Sequence, residues 1–185
     1  MFLERFVSYL QFEKRYSAHT INAYQNDLGQ YLEYLHKTGQ TIESATHFQV
    51  RSWMVELLDR QSDPRTINRK LSSLRTFYKF LVREQLVSAD PTGQVRAPKI
   101  PRRLPVIVEE ARINNLLDST SFDPGFRGLR DRVVLELLFG TGMRLSELVG
   151  LRESDINIYE RLIRVTGKGG KDRLIPVNHS LLQLL

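Results

Sequence analysis

Phe139-Gly140-Thr141-Gly142-Met143-Arg144-Leu145-Ser146-Glu147-Leu148 is the stretch that decides how this chain is read. An apolar run ends in a glycine turn. An arginine stands on the far side of that turn and opens a short amphipathic segment. A turn of this kind holds a cation rigidly, and arginine suits a phosphate there. Its guanidinium presents a planar fork of donors and stays charged at any working pH. Glu147 falls on the same helical face as Arg144 and can orient it, although the same spacing also suits a plain structural ion pair. Downstream, Gly167-Lys168-Gly169-Gly170-Lys171-Asp172-Arg173 forms a second basic cluster. A positioned ammonium at Lys168 can protonate a departing alkoxide, whereas a turn lysine with no such task is simply solvated. The two clusters together point to phosphodiester chemistry on DNA. The second is not a nucleotide-binding loop: G-x-x-x-x-G-K-[ST] is absent, no Ser or Thr follows either lysine, and no helix opens there.

Around these clusters the pattern is first helical and then mixed. Phe2 to Lys14 carries Phe2, Phe6, Tyr9 and Leu10 on one face. Ser17 caps a helix running to about Lys37, striped by Ile21, Tyr24, Leu28, Tyr31, Leu32 and Leu35 and stopped by Gly39. A third helix is expected over Thr46 to Arg60, with Phe48, Val50, Trp53, Met54, Leu57 and Leu58 available for packing. A fourth starts after Asp63-Pro64 and runs to about Val87. On it Ile67, Leu71, Leu74, Tyr78 and Leu81 share one arc. Arg65, Arg69, Ser72, Thr76, Lys79 and Arg83 share the other, with only Glu84 as a nearby acid. An ordinary solvated face has this look too, but the excess of cations favours phosphate contact.

Residues 89–105 hold Pro91, Pro98, Pro101 and Pro105 among Arg96, Lys99, Arg102 and Arg103. Proline at that density prevents a helix and favours an extended strap. The expected organisation is therefore a helical domain over 1–88, a basic linker over 89–105 and a second domain over 106–185. In that second part a helix is expected near Val108–Leu117. A strongly apolar helix from Gly125 to Phe139, central to a core, should follow, and then a short helix from Leu145 to Leu151. Leu162–Val165 and Arg173–Val177 alternate with a period of two around the glycine-rich turn and read as a β-hairpin, after which Asn178 caps a last helix.

Composition narrows the class. Hydrophobic residues make up 41% and charged residues 26% of the 185 positions, the balance of a soluble globular protein. No apolar run reaches the length of a membrane span. Glu4 and Arg5 interrupt the N-terminal apolar stretch, which argues against a secretory signal and for a cytoplasmic protein. With no cysteine there can be no disulfide, thiolate zinc site or cysteine nucleophile, and the four histidines are scattered without metal-ligand spacing. The net charge of +6 favours an anionic partner and is carried by residues 1–107; residues 108–185 hold eleven basic and eleven acidic side chains.

The chain resembles the tyrosine recombinases of the bacterial Xer type, a branch of the phage integrase family. The resemblance rests on pieces that occur in family order. They are Ser17-Ala18-His19-Thr20 with Tyr24 and Asp27-Leu28; Thr66-Ile67-Asn68-Arg69-Lys70-Leu71-Ser72-Ser73-Leu74-Arg75-Thr76-Phe77-Tyr78; Asp90-Pro91; Pro98-Lys99 with Arg103-Leu104-Pro105; and the two clusters quoted above.

The resemblance implies a mainly α fold with a small β-hairpin. A four-helix, SAM-like core-binding domain would precede the first part of an α+β catalytic domain. It implies that Arg144 binds the scissile phosphate, that Lys168 donates a proton to the leaving 5′-hydroxyl, and that Glu147 supports the site. DNA-contact candidates are Ser17, Thr20, Arg65, Arg69, Ser72, Arg75, Thr76, Lys79, Arg102, Arg103, Lys171 and Arg173. The implied reaction needs no metal and no cofactor. Its partner is a double-stranded recombination site, worked on by a tetramer bridging two sites, with or without a second recombinase, in a bacterial cytoplasm at the nucleoid.

The family's later histidine and arginine motif and its nucleophilic tyrosine have no match here. Six of the seven tyrosines lie in the first domain, and Tyr159 precedes the hairpin. The chain is therefore expected to lack the C-terminal part of the catalytic domain and to bind DNA without cleaving it. A stand-alone DNA-binding or regulatory protein that has lost catalysis would show the same residues.

Overall fold

The computed structural model describes residues 2–101, 107–119, 122–167 and 169–185. Arg102, Arg103 and Lys168 lie outside the described residues. The chain divides into two compact units, 1–103 and 104–185.

The first unit is a helical bundle. α1 (Phe2–Ser8) runs on as a π-helical turn over Tyr9–Glu13. α2 (Ala18–Lys37), α3 (His47–Asp59) and α4 (Pro64–Arg83) follow. Local chemistry starts each helix where expected. The Ser17 hydroxyl accepts from the Thr20 backbone N–H, Thr46 closes a capping box with Gln49, and Asp63 accepts from the Arg65 N–H with Pro64 at the first turn. The expected inner arc of α4 is fully buried: Ile67, Leu71, Leu74, Tyr78 and Leu81 each show 0% exposure. It packs against Phe6, Leu10, Leu28, Tyr31 and Val50. Tyr31 and Tyr78 meet hydroxyl to hydroxyl at 3.5 Å, and Tyr78 also donates to the Ile42 carbonyl. Burial pushes the Tyr78 phenol up to about 12 and the Tyr31 phenol higher still.

Helix ends differ from the sequence reading. α4 stops at Arg83, short of Val87, because Gln85 turns left-handed (φ 55°) and the Leu86 N–H reaches back to the Leu81 carbonyl. Gln61 (φ 58°) ends α3 in the same way, with Ser62 bonded to Leu57. On α3, Phe48 and Leu58 face solvent rather than the core. The strap after α4 folds onto it. Val95 is buried in the bundle core, its carbonyl accepts from Arg75 Nη2 at 2.8 Å, and the Pro98 carbonyl accepts from Asn68 Nδ2 at 3.0 Å.

The second unit holds α5 (Glu110–Ser119), α6 (Phe126–Thr141), α7 (Leu145–Val149), β1 (Ile156–Asn157), β2 (Leu162–Thr166), β3 (Asp172–Pro176) and α8 (His179–Leu184). The hairpin is part of a three-stranded antiparallel sheet, ordered β1-β2-β3. β1 is two residues long, too short to show alternation. The inner face of the sheet carries Ile163 and Val165 from β2 and Ile175 from β3, which pack with Leu137, Met143, Val177 and Leu181. The Asn178 side chain caps α8 through the Leu181 N–H.

α6 departs from expectation. Its apolar residues run round the helix, but among the described residues only one side is packed. Leu137 is buried, with Val133 and Leu138 beside it, while Phe126, Leu129, Leu135 and Phe139 are exposed. The loop before it is pressed against Gly128, where a Cβ would fall 1.9 Å from the Asp123 carbonyl oxygen. No helix among the described residues is long and apolar enough to cross a membrane.

Candidate active site and nucleic-acid interface

In the second unit the glycine turn sets Arg144 in place. Gly142 takes the left-handed conformation (φ 61°) that ends α6, and its N–H bonds the Leu138 carbonyl. The Thr141 hydroxyl accepts the Met143 N–H, and the Met143 side chain is buried beneath the turn. Arg144 then occupies the N-cap of α7 in extended conformation.

Glu147 is the hub. Its side chain is 3% exposed and takes donors on both oxygens. Oε2 accepts the Arg144 backbone N–H at 2.8 Å, and Oε1 accepts Arg144 Nη1 at 2.9 Å. From β3, Arg173 adds a two-pronged contact, Nη1 to Oε1 at 2.7 Å and Nη2 to Oε2 at 2.8 Å. The forked bond from Arg173, then the Arg144 N–H, hold the carboxyl down at about 2 against the opposing effect of burial. The ion pair that the spacing allowed does form. Yet the Arg144 side chain stays 68% exposed and that of Arg173 41%. One buried anion thus holds two guanidinium groups whose outer edges remain open, and the cluster carries a net positive charge. This is the arrangement a phosphate needs: rigid donors, already oriented, with no water to displace from their anchored side.

Gly167 closes the cluster from above. It follows β2 directly, in phase with Ile163 and Val165, and an added Cβ would lie 3.6 Å from Glu147 Oε1 and 3.3 Å from the Lys171 carbonyl. Lys168 is the next residue in the chain and lies outside the described residues. Lys171 is exposed, and its carbonyl accepts the Gly167 N–H at 2.8 Å.

The contact between Arg173 and Glu147 is absent from the sequence reading, yet a signal for it exists. Alternation puts Arg173 on the same face as Ile175 and Val177, and the register pairs it with Val165. An arginine continuing a buried face needs an acceptor there, and here it finds the Glu147 carboxylate.

In the first unit the outer face of α4 carries fewer free cations than its sequence promises. Arg69 donates to Asp27 from α2, a carboxylate 2% exposed that also takes Lys70 Nζ at 3.3 Å and the Ser73 hydroxyl at 2.8 Å. Arg83 lies over the Tyr9 ring at 4.4 Å and pairs with Glu84 and Glu13. Glu84 is therefore not the only acid near this face; two more arrive from the π-helical turn and from α2. Arg75 is committed to the strap. The Thr76 hydroxyl donates to the Ser72 carbonyl and accepts from Tyr24, and the Ser17 and Thr20 hydroxyls bond each other at 2.9 Å. Among the described residues Arg65 and Lys79 are exposed and form no ion pair.

Known proteins match both units. Residues 3–85 fit the phage integrase N-terminal SAM-like domain, and residues 107–185 fit the phage integrase family. The chain is 39% identical over 184 residues to tyrosine recombinase XerC from Myxococcus xanthus, covering 99% of this chain and 61% of that protein. To tyrosine recombinase XerD from Chlorobaculum tepidum it is 36% identical over 182 residues, covering 97% and 60%. It thus spans about three-fifths of the length of these curated relatives. Among solved structures, the Tn1549 transposon integrase bound to circular intermediate DNA shares the fold at TM-score 0.73 and 18% identity, over 99% of this chain and 62% of that one. A lambda integrase dimer bound to a core site does so at 0.67 and 19%, over 95% and 60%. The chain belongs to the phage integrase family, among the tyrosine recombinases of the Xer type.

Proposed function

We propose that this chain serves site-specific DNA recombination and supplies the DNA grip and the phosphate-binding half of a tyrosine recombinase active site. The observation that carries the reading is the pair of half-exposed guanidinium groups fixed on one buried carboxylate. In the reaction a tyrosine oxygen bonds the scissile phosphorus, the bond to the 5′-oxygen breaks, and negative charge grows on the non-bridging oxygens. Arg144, placed beforehand, binds those oxygens more tightly in the transition state than in the ground state. Lys168 delivers a proton to the departing 5′-oxygen. The 3′-phosphotyrosyl link keeps the bond energy, so the strand rejoins without a nucleotide. Arg65, Arg69, Lys79 and the hydroxyls of Ser17, Thr20, Ser72 and Thr76 contact the DNA backbone, and Lys171, Arg102 and Arg103 extend that contact. Four such proteins on two sites, with or without a second recombinase, complete the exchange in the bacterial cytoplasm.

These 185 residues hold DNA without cutting it. The one tyrosine of the second unit, Tyr159, is 99% exposed in the turn between β1 and β2. That turn stands at the end of β2 opposite Gly167, about 14 Å of strand away.

The test is a recombination-site duplex carrying a nick, which traps the phosphotyrosyl intermediate. Intact mass of the whole recombinase should show a covalent DNA adduct, lost in Arg144→Ala with binding retained. The 185-residue chain should bind with an affinity that falls steeply with salt and form no adduct. An adduct on the chain itself would make one of its own tyrosines the nucleophile.

A further inference from the structure

We propose that Arg173 is a positioning residue for Arg144, acting through Glu147, rather than a contact to the DNA backbone. The proposal rests on the reading of Arg144 given above. A carboxylate held by one arginine can rotate about its last bond and carry that arginine with it. Glu147 cannot. The fork from Arg173 takes both oxygens and fixes the plane of the carboxylate. Arg144 then binds the remaining edges of the same two oxygens, by its side chain and its own backbone N–H. Fixing Glu147 therefore fixes both the start of α7 and the direction of the Arg144 guanidinium. Two guanidinium groups on one oxygen repel each other, so neither would stay without the anion between them. The turn end of the hairpin bears on the same point, since Gly167 lies over the Glu147–Arg173 contact.

A second copy of the motif in the same unit separates this role from plain bracing of the sheet. Arg152 and Asp155 repeat the spacing of Arg144 and Glu147. The Asp155 carboxylate accepts the Arg152 backbone N–H at 3.1 Å, and Arg164 from β2 binds Asp155 through Nε and Nη2. There the strand arginine grips one oxygen only, and the Arg152 side chain makes no hydrogen bond to the acid among the described residues. That copy ties a turn to a strand and directs no cation. Only the copy at Glu147 passes the strand's hold to an arginine side chain.

The experiment measures single-turnover cleavage of a nicked site by the whole recombinase, at saturating DNA, alongside the dissociation constant. Arg173→Gln should slow cleavage by roughly 10- to 100-fold, the scale of a misplaced catalytic group, with DNA affinity within about twofold. Arg173→Lys should rescue only in part, because an ammonium cannot hold both oxygens. Arg164→Gln should leave cleavage unchanged. On a Glu147→Gln background, Arg173→Gln should cost nothing further, since both act on one chain of contacts. Thermal unfolding of each variant checks the fold, and if Arg173→Gln does not fold, Arg173→Lys carries the test. Weakened DNA binding with normal cleavage at saturation, losses that multiply with Glu147→Gln, or complete rescue by lysine would each overturn the proposal. Arg144→Ala is the benchmark. If it still forms the covalent product, the underlying reading of the site fails rather than the role of Arg173.

Discussion

Asp27 and Glu147 are two buried carboxylates, 2% and 3% exposed, and each is flanked by two cations. They are put to opposite uses. At Asp27 both cations and the Ser73 hydroxyl come from α4, and one of them, Lys70, is itself 7% exposed with its ammonium on Gln30 and 5.9 Å from the Trp53 ring. The Lys70 charge is consumed inside the bundle while Arg69 stays 51% exposed, and α2 is locked to α4. At Glu147 the cations come from two different elements, and both keep open edges. Charge is collected there and offered outward. The difference teaches that an acid with two basic partners is a clamp when one of the bases is buried with it, as Lys70 is, and a candidate anion site when both keep open edges.

The largest effect that would break the comparison is on stability. Asp27→Ala strands Lys70 as a buried charge without its acid, and loss of one partner of a buried pair costs about 3–5 kcal/mol. Urea unfolding of the first unit should show that loss. A change near zero would mean that Asp27 is as dispensable as a surface acid. Next comes Arg144→Ala in the whole recombinase. Removing one donor to a developing oxyanion costs roughly 100- to 1000-fold in rate, so the covalent product should vanish from a single-turnover assay while DNA binding persists.

Arg69→Ala and Lys79→Ala sharpen the distinction on the face of α4. Each should weaken DNA binding irrespective of sequence and lower the salt slope by about one. Only Arg69→Ala should also lower the melting temperature, because Arg69 holds the buried Asp27. Lys79 has no ion pair among the described residues, and its loss should leave the melt unchanged. Gel-shift titrations at several salt concentrations, run beside thermal melts, separate the two. Equal melts would place Arg69 wholly in solvent.

Much of this was legible in the sequence where the signal is local. Ser17, Thr46, Pro64 and Asn178 mark helix starts because a cap needs only its own next turn. The inner arc of α4 is readable from spacing alone. The ends at Gln61 and Gln85 are not, because the left-handed turn there is made without the glycine that usually announces it. β1 gains its identity from pairing with β2 rather than from its two residues. The apolar run of α6 signals burial, but it does not say on how many sides. The long-range ties are the least legible. Arg69 reaches an acid 42 residues away, and Arg173 one 26 residues away. Composition along α4 could not reveal that its arginines are partly neutralised from another helix. Arg144 and Glu147 were legible as a pair because both lie on one turn of helix. Their third member needed the strand register.

The smallest predicted effect concerns protons. Glu147 titrates near 2 in the folded protein against an ordinary value of 4.5. A carboxyl lowered on folding stabilises the fold above its unfolded value, and that contribution is lost as pH falls from about 4.5 through about 2. Asp155 is lowered in the same sense by Arg164 and the Arg152 N–H. If Arg173 is the main hold on Glu147, Arg173→Gln should raise the Glu147 midpoint toward the ordinary range, and Arg164→Gln should leave it in place. Carbon-13 NMR of the side-chain carboxyl across pH 2 to 6 reads this directly in the 185-residue chain, with no DNA and no catalysis involved. A midpoint unmoved by Arg173→Gln would mean that Arg144 alone holds the acid. The strand arginine would then be a passenger at the site rather than the residue that fixes it.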